Sequence, residues 1–135
     1  MDSTNTPQRA VIVLSTVEAG FPSPAGDYIE TPLDLNELLI NHPAATFFVR
    51  ARGESMIGVG MHDGDLLVVD RSLEVQNGDL VVAVLNGDFT VKRFVWSSTG
   101  VRLEPANRAY KPIEVTEDRG VEIWGVVRHV IHTCR

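Results

Sequence analysis

The dipeptide Asn86-Gly87 restricts the fold more than any other feature of this sequence. Asn-Gly accommodates the positive φ angles of a two-residue turn, which joins neighbouring antiparallel strands. The segments on both sides are rich in Val and Phe, residue types that favour strands. Counting outward from the turn pairs Val81 with Lys92, so the sequence predicts a β-hairpin of defined register.

The chain after residue 45 has the same character, with β-branched and aromatic residues separated by Gly, Asn, Asp and Pro. Segments of this kind are typical of short strands joined by turns. The predicted strands are 46–50, 66–70, 80–85, 89–96, 101–104 and 121–131. Because 135 residues are the length of one ordinary domain, we predict a single, mainly β fold.

The first forty residues follow a different pattern. Residues 20–26 contain two prolines and two glycines, which disfavour both a helix and a central strand, so residues 1–30 are predicted to form a mobile N-terminal arm. Asp34 then precedes an apolar run and can accept hydrogen bonds from the first N–H groups of a helix. We predict one short helix there, ended before Pro43, and a folded domain over residues 31–135.

Charge and composition exclude several classes of function. The chain has 12 basic and 18 acidic residues, a net charge of -6, and it lacks a cluster of Lys and Arg that could neutralise nucleic-acid phosphates. We therefore expect no direct sequence-specific DNA binding. The apolar runs are too short to span a membrane, and Cys134 cannot form an internal disulfide by itself. A cytoplasmic protein is expected.

Lys92 lies on a predicted strand whose two faces are both largely apolar. By the two-residue period of a strand, Thr90, Lys92, Phe94 and Trp96 share one face. A lysine that loses water in such surroundings has a lowered pKa and can act as a base, whereas an arginine stays protonated. The strand by itself favours a simpler interpretation, in which the lysine extends its ammonium group to water at the sheet margin.

Ser55 lies between Gly53 and Gly58, shortly after the strand predicted at 46–50. The glycines permit a tight turn that exposes the hydroxyl and directs backbone N–H groups at a developing oxyanion. The alternative is a serine that caps a short helical turn at Met56. Because Gly58 is one residue too late for a Gly-x-Ser-x-Gly motif, an α/β-hydrolase elbow is not indicated.

Four histidines raise two further possibilities, a Ser-His-Asp triad and a metal centre. None of them stands in a triad signature, and His62 begins the sequence His-Asp-Gly-Asp, which is typical of a β-turn. His129 and His132 differ in strand parity and would not share a face, which disfavours a metal site built from them and Cys134. We expect neither a metal nor any other cofactor.

The segments Gly53-Glu54-Ser55-Met56 and Phe89-Thr90-Val91-Lys92 together resemble the LexA/UmuD family of self-cleaving serine peptidases. The segment 63–66 follows the serine as it does in that family, and Ala19-Gly20 resembles its scissile Ala-Gly or Cys-Gly bond. Further segments narrow the likeness to the UmuD branch of the family: 20–25, 34–36, 38–40, 42–43, 105–107, 110 and 112.

The resemblance implies a LexA-type β domain in which Ser55 is the nucleophile, Lys92 is the general base and Ala19-Gly20 is the bond that is cut. Neutral Lys92 would take the proton of Ser55, whose oxygen would attack the Ala19 carbonyl. The implied enzyme is an autoproteolytic serine endopeptidase with a Ser/Lys dyad, and its trimmed product begins at Gly20.

The resemblance also implies partners. It predicts a homodimer of the bacterial SOS response to DNA damage, whose self-cleavage is promoted by RecA filaments on single-stranded DNA. The trimmed form is expected to join a UmuC-like Y-family DNA polymerase as an accessory subunit in translesion synthesis and SOS mutagenesis.

Two other functions compete with this one. A signal-peptidase-like Ser/Lys protease that acts on other proteins requires a membrane anchor, for which the sequence offers no span. A non-catalytic regulatory or dimerisation module of a LexA-like repressor system would need neither Ser55 nor Lys92, so the intact set of Ser55, Lys92 and Ala19-Gly20 argues against it. Incubation at alkaline pH distinguishes the two classes, because a self-cleaving peptidase shortens itself and a binding module does not.

Overall fold

The computed structural model describes residues 10–13 and 30–135. The chain divides into two compact units, residues 1–41 and residues 42–135. Within the described ranges, no helix is long and apolar enough to cross a membrane.

The described part of the first unit contains two strands and one helix. β1 (Ala10–Val13), which lies inside the segment predicted as an arm, pairs antiparallel with β2 (Glu30–Leu33). These strands are not among the predicted ones, because four residues are too few to show a period. The predicted helix is α1 (Leu35–Leu39), and its N-cap Asp34 accepts a hydrogen bond from Asn36 N–H at 3.0 Å. The capping role of Asp34 is therefore confirmed.

In the described residues 42–135, the second unit is built on one antiparallel sheet. Its strands in chain order are β3 (Thr46–Arg50), β4 (Leu66–Asp70), β5 (Leu80–Leu85), β6 (Asp88–Ser97), β7 (Gly100–Glu104), β8 (Ile113–Val115) and β9 (Val121–Ile131). Their order in the sheet is β3-β4-β9-β5-β6-β7-β8. The C-terminal strand β9 thus lies between β4 and β5 and joins the two halves of the sheet.

All six predicted strands are confirmed to within one residue at either end, and the mainly β class is correct. β8 is an addition, since only three residues follow Pro112 before the strand ends and no alternation is visible in the sequence. β9 is irregular at Trp124 and Arg128, where its registers with β5 and β4 shift by one residue. Such bulges increase the local twist of a strand.

The hairpin of β5 and β6 has the register predicted from its turn. Val81 lies opposite Lys92. Asn86 has a φ angle of 50° and Gly87 one of 85°, the positive values that a type I′ turn requires. A two-residue turn therefore determines which residue of β5 faces Lys92.

Two buried apolar clusters pack against the sheet. Adjacent residues of β5 belong to different clusters, as the alternation of a strand requires. The first cluster also contains residues from a segment outside the strands, the one that carries Ser55, and this segment is thereby anchored to the core. The first cluster is Ala51, Met56, Met61, Leu67, Val69 and Val82, and the second is Val81, Ala83, Leu103 and Val126.

Candidate active site

Lys92 lies in the middle of β6 and is only 8% exposed. The predicted alternation of this strand is observed, since Val91 packs against the first cluster and Phe94 against the second. Trp96, near the end of β6, is 66% exposed. Burial lowers the pKa of Lys92 below its ordinary value. The lysine therefore does not extend to water at the sheet margin.

Three acceptors surround the Lys92 Nζ atom. It lies 3.0 Å from Ser55 Oγ, 2.9 Å from Thr90 Oγ1 and 3.0 Å from the Val91 carbonyl oxygen. A protonated lysine can donate one hydrogen to each of them. The neutral amine has two hydrogens and one lone pair, so it can donate to Thr90 and Val91 while it accepts the proton of Ser55. This arrangement suits a general base.

Ser55 lies in an irregular segment after β3, residues 51–58, which we call the serine turn. Gly53 has a φ angle of 81°, a left-handed conformation that glycine adopts without steric cost. Met56 is 3% exposed and anchors the turn in the first cluster. The end of the serine turn overlaps a single turn of 3-10 helix at Ile57–Val59, and Met56 rather than Ser55 is the N-cap of this helix. The interpretation of Ser55 as a helix cap is therefore wrong.

A neighbouring turn, residues 62–65, holds the beginning of the serine turn; we call it the Asp-Gly-Asp turn. Gly53 N–H donates a hydrogen bond to Asp63 Oδ1 at 2.7 Å. Ala51 N–H donates to the carbonyl oxygen of Asp65 at 2.8 Å. The β-turn predicted for this segment is present, since the N–H of its last residue donates to the carbonyl oxygen of its first at 3.1 Å, and the turn holds the backbone that leads to the serine.

The loop between β7 and β8, residues 105–112, reaches the serine turn from another side. The last residue of β7 lies opposite Arg93, the neighbour of Lys92, so the chain leaves the sheet close to the lysine. Ala106 N–H then donates to the carbonyl oxygen of Ser55 at 2.7 Å. The end of β7 therefore brings this loop to the side of the serine turn.

Two further hydrogen bonds join this loop to the serine turn. Gly58 N–H donates to the Ala106 carbonyl oxygen at 2.7 Å, and Asn107 Nδ2 donates to the Glu54 carbonyl oxygen at 2.8 Å. A Cβ atom on Gly58 would lie 2.5 Å from that Ala106 oxygen, so the close approach requires glycine. In the sequence these loop residues contribute only to the family likeness, because hydrogen bonds between loops leave no periodic signal.

Two backbone N–H groups at the serine have no acceptor in the described part of the chain. They are those of Ser55 itself and of Met56. Free N–H donors beside a nucleophile can stabilise the negative oxygen that develops when a carbonyl group is attacked. With the hydroxyl and the amine, they complete the groups that acyl transfer requires.

An open depression of about 830 Å³ lies beside the serine turn. One side is formed by Ile57 and Gly58 from the 3-10 turn, and the other by residues 105–108 and Tyr110 from the loop after β7. Its size falls in the range of ligand clefts. The same two segments therefore position Ser55 and form a concave surface next to it.

Two of the four histidines pair with buried carboxylates and not with the serine hydroxyl. His42 Nδ1 lies 2.6 Å from Asp70 Oδ2, and His132 Nδ1 lies 2.6 Å from Asp65 Oδ1. Burial raises the pKa of Asp70, but hydrogen bonds from Ser72 and His42 outweigh this effect and hold the pKa at about 2. These pairs explain His42 and His132 as partners of buried acids, a role that no local motif in the sequence indicates.

The remaining positions considered in the sequence are the predicted cleavage bond and the possible metal ligands. Ala19 and Gly20 lie outside the described residues. Among the residues that the structure describes, no three His, Cys, Asp or Glu side chains are arranged to hold a metal ion, and Cys134 is exposed.

Comparison with known proteins identifies the family. Residues 11–128 match the family model described as Peptidase S24-like, which covers most of the chain and includes Ser55 and Lys92. The chain belongs to the Peptidase S24-like family. This membership confirms the resemblance to LexA/UmuD peptidases, and it makes the chain a protein of the serine-peptidase kind.

Several curated proteins are similar to this Peptidase S24-like chain. Protein ImpA of Salmonella typhimurium is 50% identical over 118 residues, which cover 87% of this chain and 80% of ImpA. Protein MucA of Escherichia coli is 45% identical over 117 residues, with 86% and 80% coverage. The LexA repressor of Psychromonas ingrahamii is 37% identical over 128 residues, with 94% and 61% coverage.

Proposed function

We propose that this chain is an autoproteolytic serine endopeptidase that cuts its own Ala19-Gly20 bond, with Ser55 as nucleophile and Lys92 as general base. The observation that carries the proposal is the 3.0 Å contact between Lys92 Nζ and Ser55 Oγ in a chain of a peptidase family. The lowered pKa of Lys92 supports it, because a base must be neutral to accept a proton.

The first step forms an ester. Neutral Lys92 takes the proton of Ser55 Oγ as this oxygen bonds to the carbonyl carbon of Ala19. The carbonyl oxygen becomes negative and accepts hydrogen bonds from the N–H groups of Ser55 and Met56. When the tetrahedral intermediate collapses, the C–N bond to Gly20 breaks, and Lys92 returns its proton to the nitrogen that leaves.

The second step consumes one water molecule. Lys92, again neutral, takes a proton from the water molecule as the water oxygen bonds to the Ala19 carbonyl carbon. The ester bond to Ser55 Oγ breaks, and the serine oxygen recovers the proton from Lys92. The products are fragments 1–19 and 20–135, and the dyad has returned to its initial state.

Incubation of the purified full chain at mildly alkaline pH tests this reaction. We expect a fragment whose N-terminal sequence is Gly-Phe-Pro-Ser. The Ser55→Ala variant is the matched control and should stay intact under the same conditions. A product with a different start would contradict the cleavage site, and a wild-type chain that stays intact would favour a non-catalytic regulatory module.

We further propose that the cleavage belongs to the SOS response, that it takes place in the cytoplasm and that RecA filaments on single-stranded DNA promote it. The similarity to a LexA repressor and the motifs of the UmuD branch support this setting. With a net charge of -6, the homodimeric trimmed form is expected to reach damaged DNA through a UmuC-like Y-family polymerase and not by binding DNA itself.

Comparison of fragment 20–135 with the full-length Ser55→Ala protein tests the partnership. The fragment should capture the cognate polymerase more efficiently in a pull-down, and the uncleavable protein should fail to support damage-induced mutagenesis. RecA filaments added to the wild-type chain at neutral pH should accelerate its cleavage. If the uncleavable protein supported mutagenesis as well as the wild type, cleavage would not be the activating step.

A further inference from the structure

We propose that His132 is a positioning residue for the serine turn, because its ring holds the Asp65 carboxylate and thereby the Asp-Gly-Asp turn that fixes the backbone before Ser55. The inference rests on the self-cleavage proposed above. His132 follows the last residue of β9 and makes no hydrogen bond to Ser55 or Lys92 in the described residues. Its effect on the reaction would therefore be geometric.

The carboxylate of Asp65 is the first connection. Asp65 is 3% exposed, and both of its oxygens have donors. Oδ2 accepts a hydrogen bond from His62 N–H at 2.8 Å, and Oδ1 lies 2.6 Å from His132 Nδ1. The His62 N–H, and after it the His132 ring, lower the pKa of Asp65. Without the ring, a buried charged oxygen would lose its donor, which is unfavourable.

The backbone of the Asp-Gly-Asp turn is the second connection. The Asp65 carbonyl oxygen accepts a hydrogen bond from Ala51 N–H, and Gly64 N–H donates to the Ala51 carbonyl oxygen, both at 2.8 Å. Asp63 Oδ1 accepts from Gly53 N–H at 2.7 Å. A shift of the Asp65 side chain would therefore be passed to the first residues of the serine turn through three hydrogen bonds.

His132 is well placed for such a role. Its side chain is 49% exposed, yet the ring is also in contact with the ring of His62, with 5.0 Å between the two centroids. Both the protonated ring and the neutral tautomer with hydrogen on Nδ1 can donate to the carboxylate. The hydrogen bond to Asp65 therefore does not depend on the charge of His132.

Two substitutions of His132 separate the hydrogen bond from the size of the side chain. In His132→Asn, the amide nitrogen can occupy the position of Nδ1 and donate to Asp65, whereas His132→Leu has no donor. The same two changes at His129, which lies in β9 and has no hydrogen bond to Asp65 in the described structure, are the matched controls. His132→Ala is a second variant without a donor, in case leucine disturbs the packing.

Self-cleavage rates of the folded variants are the first measurement. We expect His132→Leu to cut about tenfold more slowly than the wild type, the effect of losing one hydrogen bond to a charged group. His132→Asn should recover the rate to within about twofold, and both His129 variants should match the wild type. Thermal unfolding of each variant verifies that the measured chain is folded.

The backbone amide resonance of Gly53 is the second measurement, recorded in the uncleavable Ser55→Ala background so that it does not depend on activity. His132→Leu should shift this resonance, whereas His132→Asn and the His129 variants should leave it near its original position. If His132→Leu changes neither the rate nor the resonance, the inference is overturned and the proposed function stands. If the wild type does not cut itself, the proposed function fails, while the Gly53 resonance still tests the role of His132.

Discussion

Ser55 and Lys92 share one hydrogen bond, but two different kinds of backbone hold them. Lys92 lies in β6, which is paired with β5 and β7. Ser55 lies in the serine turn, which has no strand partner in the described structure. Individual hydrogen bonds from the Asp-Gly-Asp turn and from the loop after β7 hold it instead.

This difference determines how each half of the site responds to substitution. Lys92 lies opposite Val81 of β5, and from Arg93 onward β6 is also paired with β7, so the loss of one side-chain contact should leave the strand in place. In the serine turn, each contact fixes a different residue, so the loss of one moves the backbone near the nucleophile. A displacement of about 1 Å can reduce a rate roughly a hundredfold. The position of Ser55 should therefore be the more sensitive half of the site.

The largest loss of self-cleavage is expected from variants that lack either the nucleophile or the base. Ser55→Ala and Lys92→Arg should each reduce self-cleavage by roughly a thousandfold or more, since nucleophile and base act as one unit. The arginine stays protonated and cannot accept the serine proton. The double variant should be no slower than either single one, as measured by the appearance of fragment 20–135. Full activity of Lys92→Arg would show that Lys92 is not the base.

The next effect is a pH dependence that arises from the lysine alone. Below the folded pKa of Lys92 the amine is protonated, so the rate should rise about tenfold per pH unit and level off above that pKa. Because burial lowers this pKa, the plateau should begin below the ordinary value of 10.5. Rates measured from mildly acidic to alkaline pH test this, and a flat profile would contradict a lysine base.

A glycine-to-alanine substitution in the serine turn, and another in the hairpin that carries β6, test the difference between the two halves of the site directly. Gly58→Ala puts a methyl group against the Ala106 carbonyl oxygen and should slow self-cleavage by roughly ten- to a hundredfold. Gly87→Ala strains the left-handed turn of the β5–β6 hairpin and should lower the free energy of unfolding by about 1 kcal/mol. Its cleavage rate should stay close to that of the wild type. Equal rate losses in the two variants would remove the distinction between the two halves.

The smallest effect is expected from the loss of a single side-chain contact to the serine turn. Asn107→Ala removes the hydrogen bond to the Glu54 carbonyl oxygen and should slow cleavage about fivefold. Asn77→Ala is the control, because Asn77 makes two hydrogen bonds to the Trp96 backbone at the far end of β6. That variant should lose stability and keep its cleavage rate. A rate loss in the control that equals that of Asn107→Ala would count against a specific role for Asn107.

The two halves of the site also differ in how far the sequence predicts them. The turn at Asn86-Gly87 determines the pairing of Lys92 with Val81, because local turn geometry sets the register of a hairpin. Apolar composition and turn residues likewise locate the longer strands. These signals lie within a few residues of the feature that they predict, and for this reason a single sequence is sufficient.

The surroundings of Ser55 could not be predicted in the same way. The contacts of the serine turn come from residues 62–65 and 105–107, and the carboxylate of Asp65 is paired with His132, a residue beyond the last strand. Hydrogen bonds between distant loops depend on the folded backbone and leave neither a period nor a spacing in the sequence. Family resemblance therefore predicts the pairing of Ser55 with Lys92, whereas neither residue alone does.

Lys92 Nζ has three acceptors around it, one for each hydrogen of an ammonium group. The charged lysine therefore has an acceptor for each of its hydrogens, although burial favours the loss of its proton. If the chain cuts itself as proposed, each molecule reacts once, and at any moment only the fraction of chains with a neutral Lys92 can react. The position of this protonation equilibrium would then set the half-life of the uncut chain.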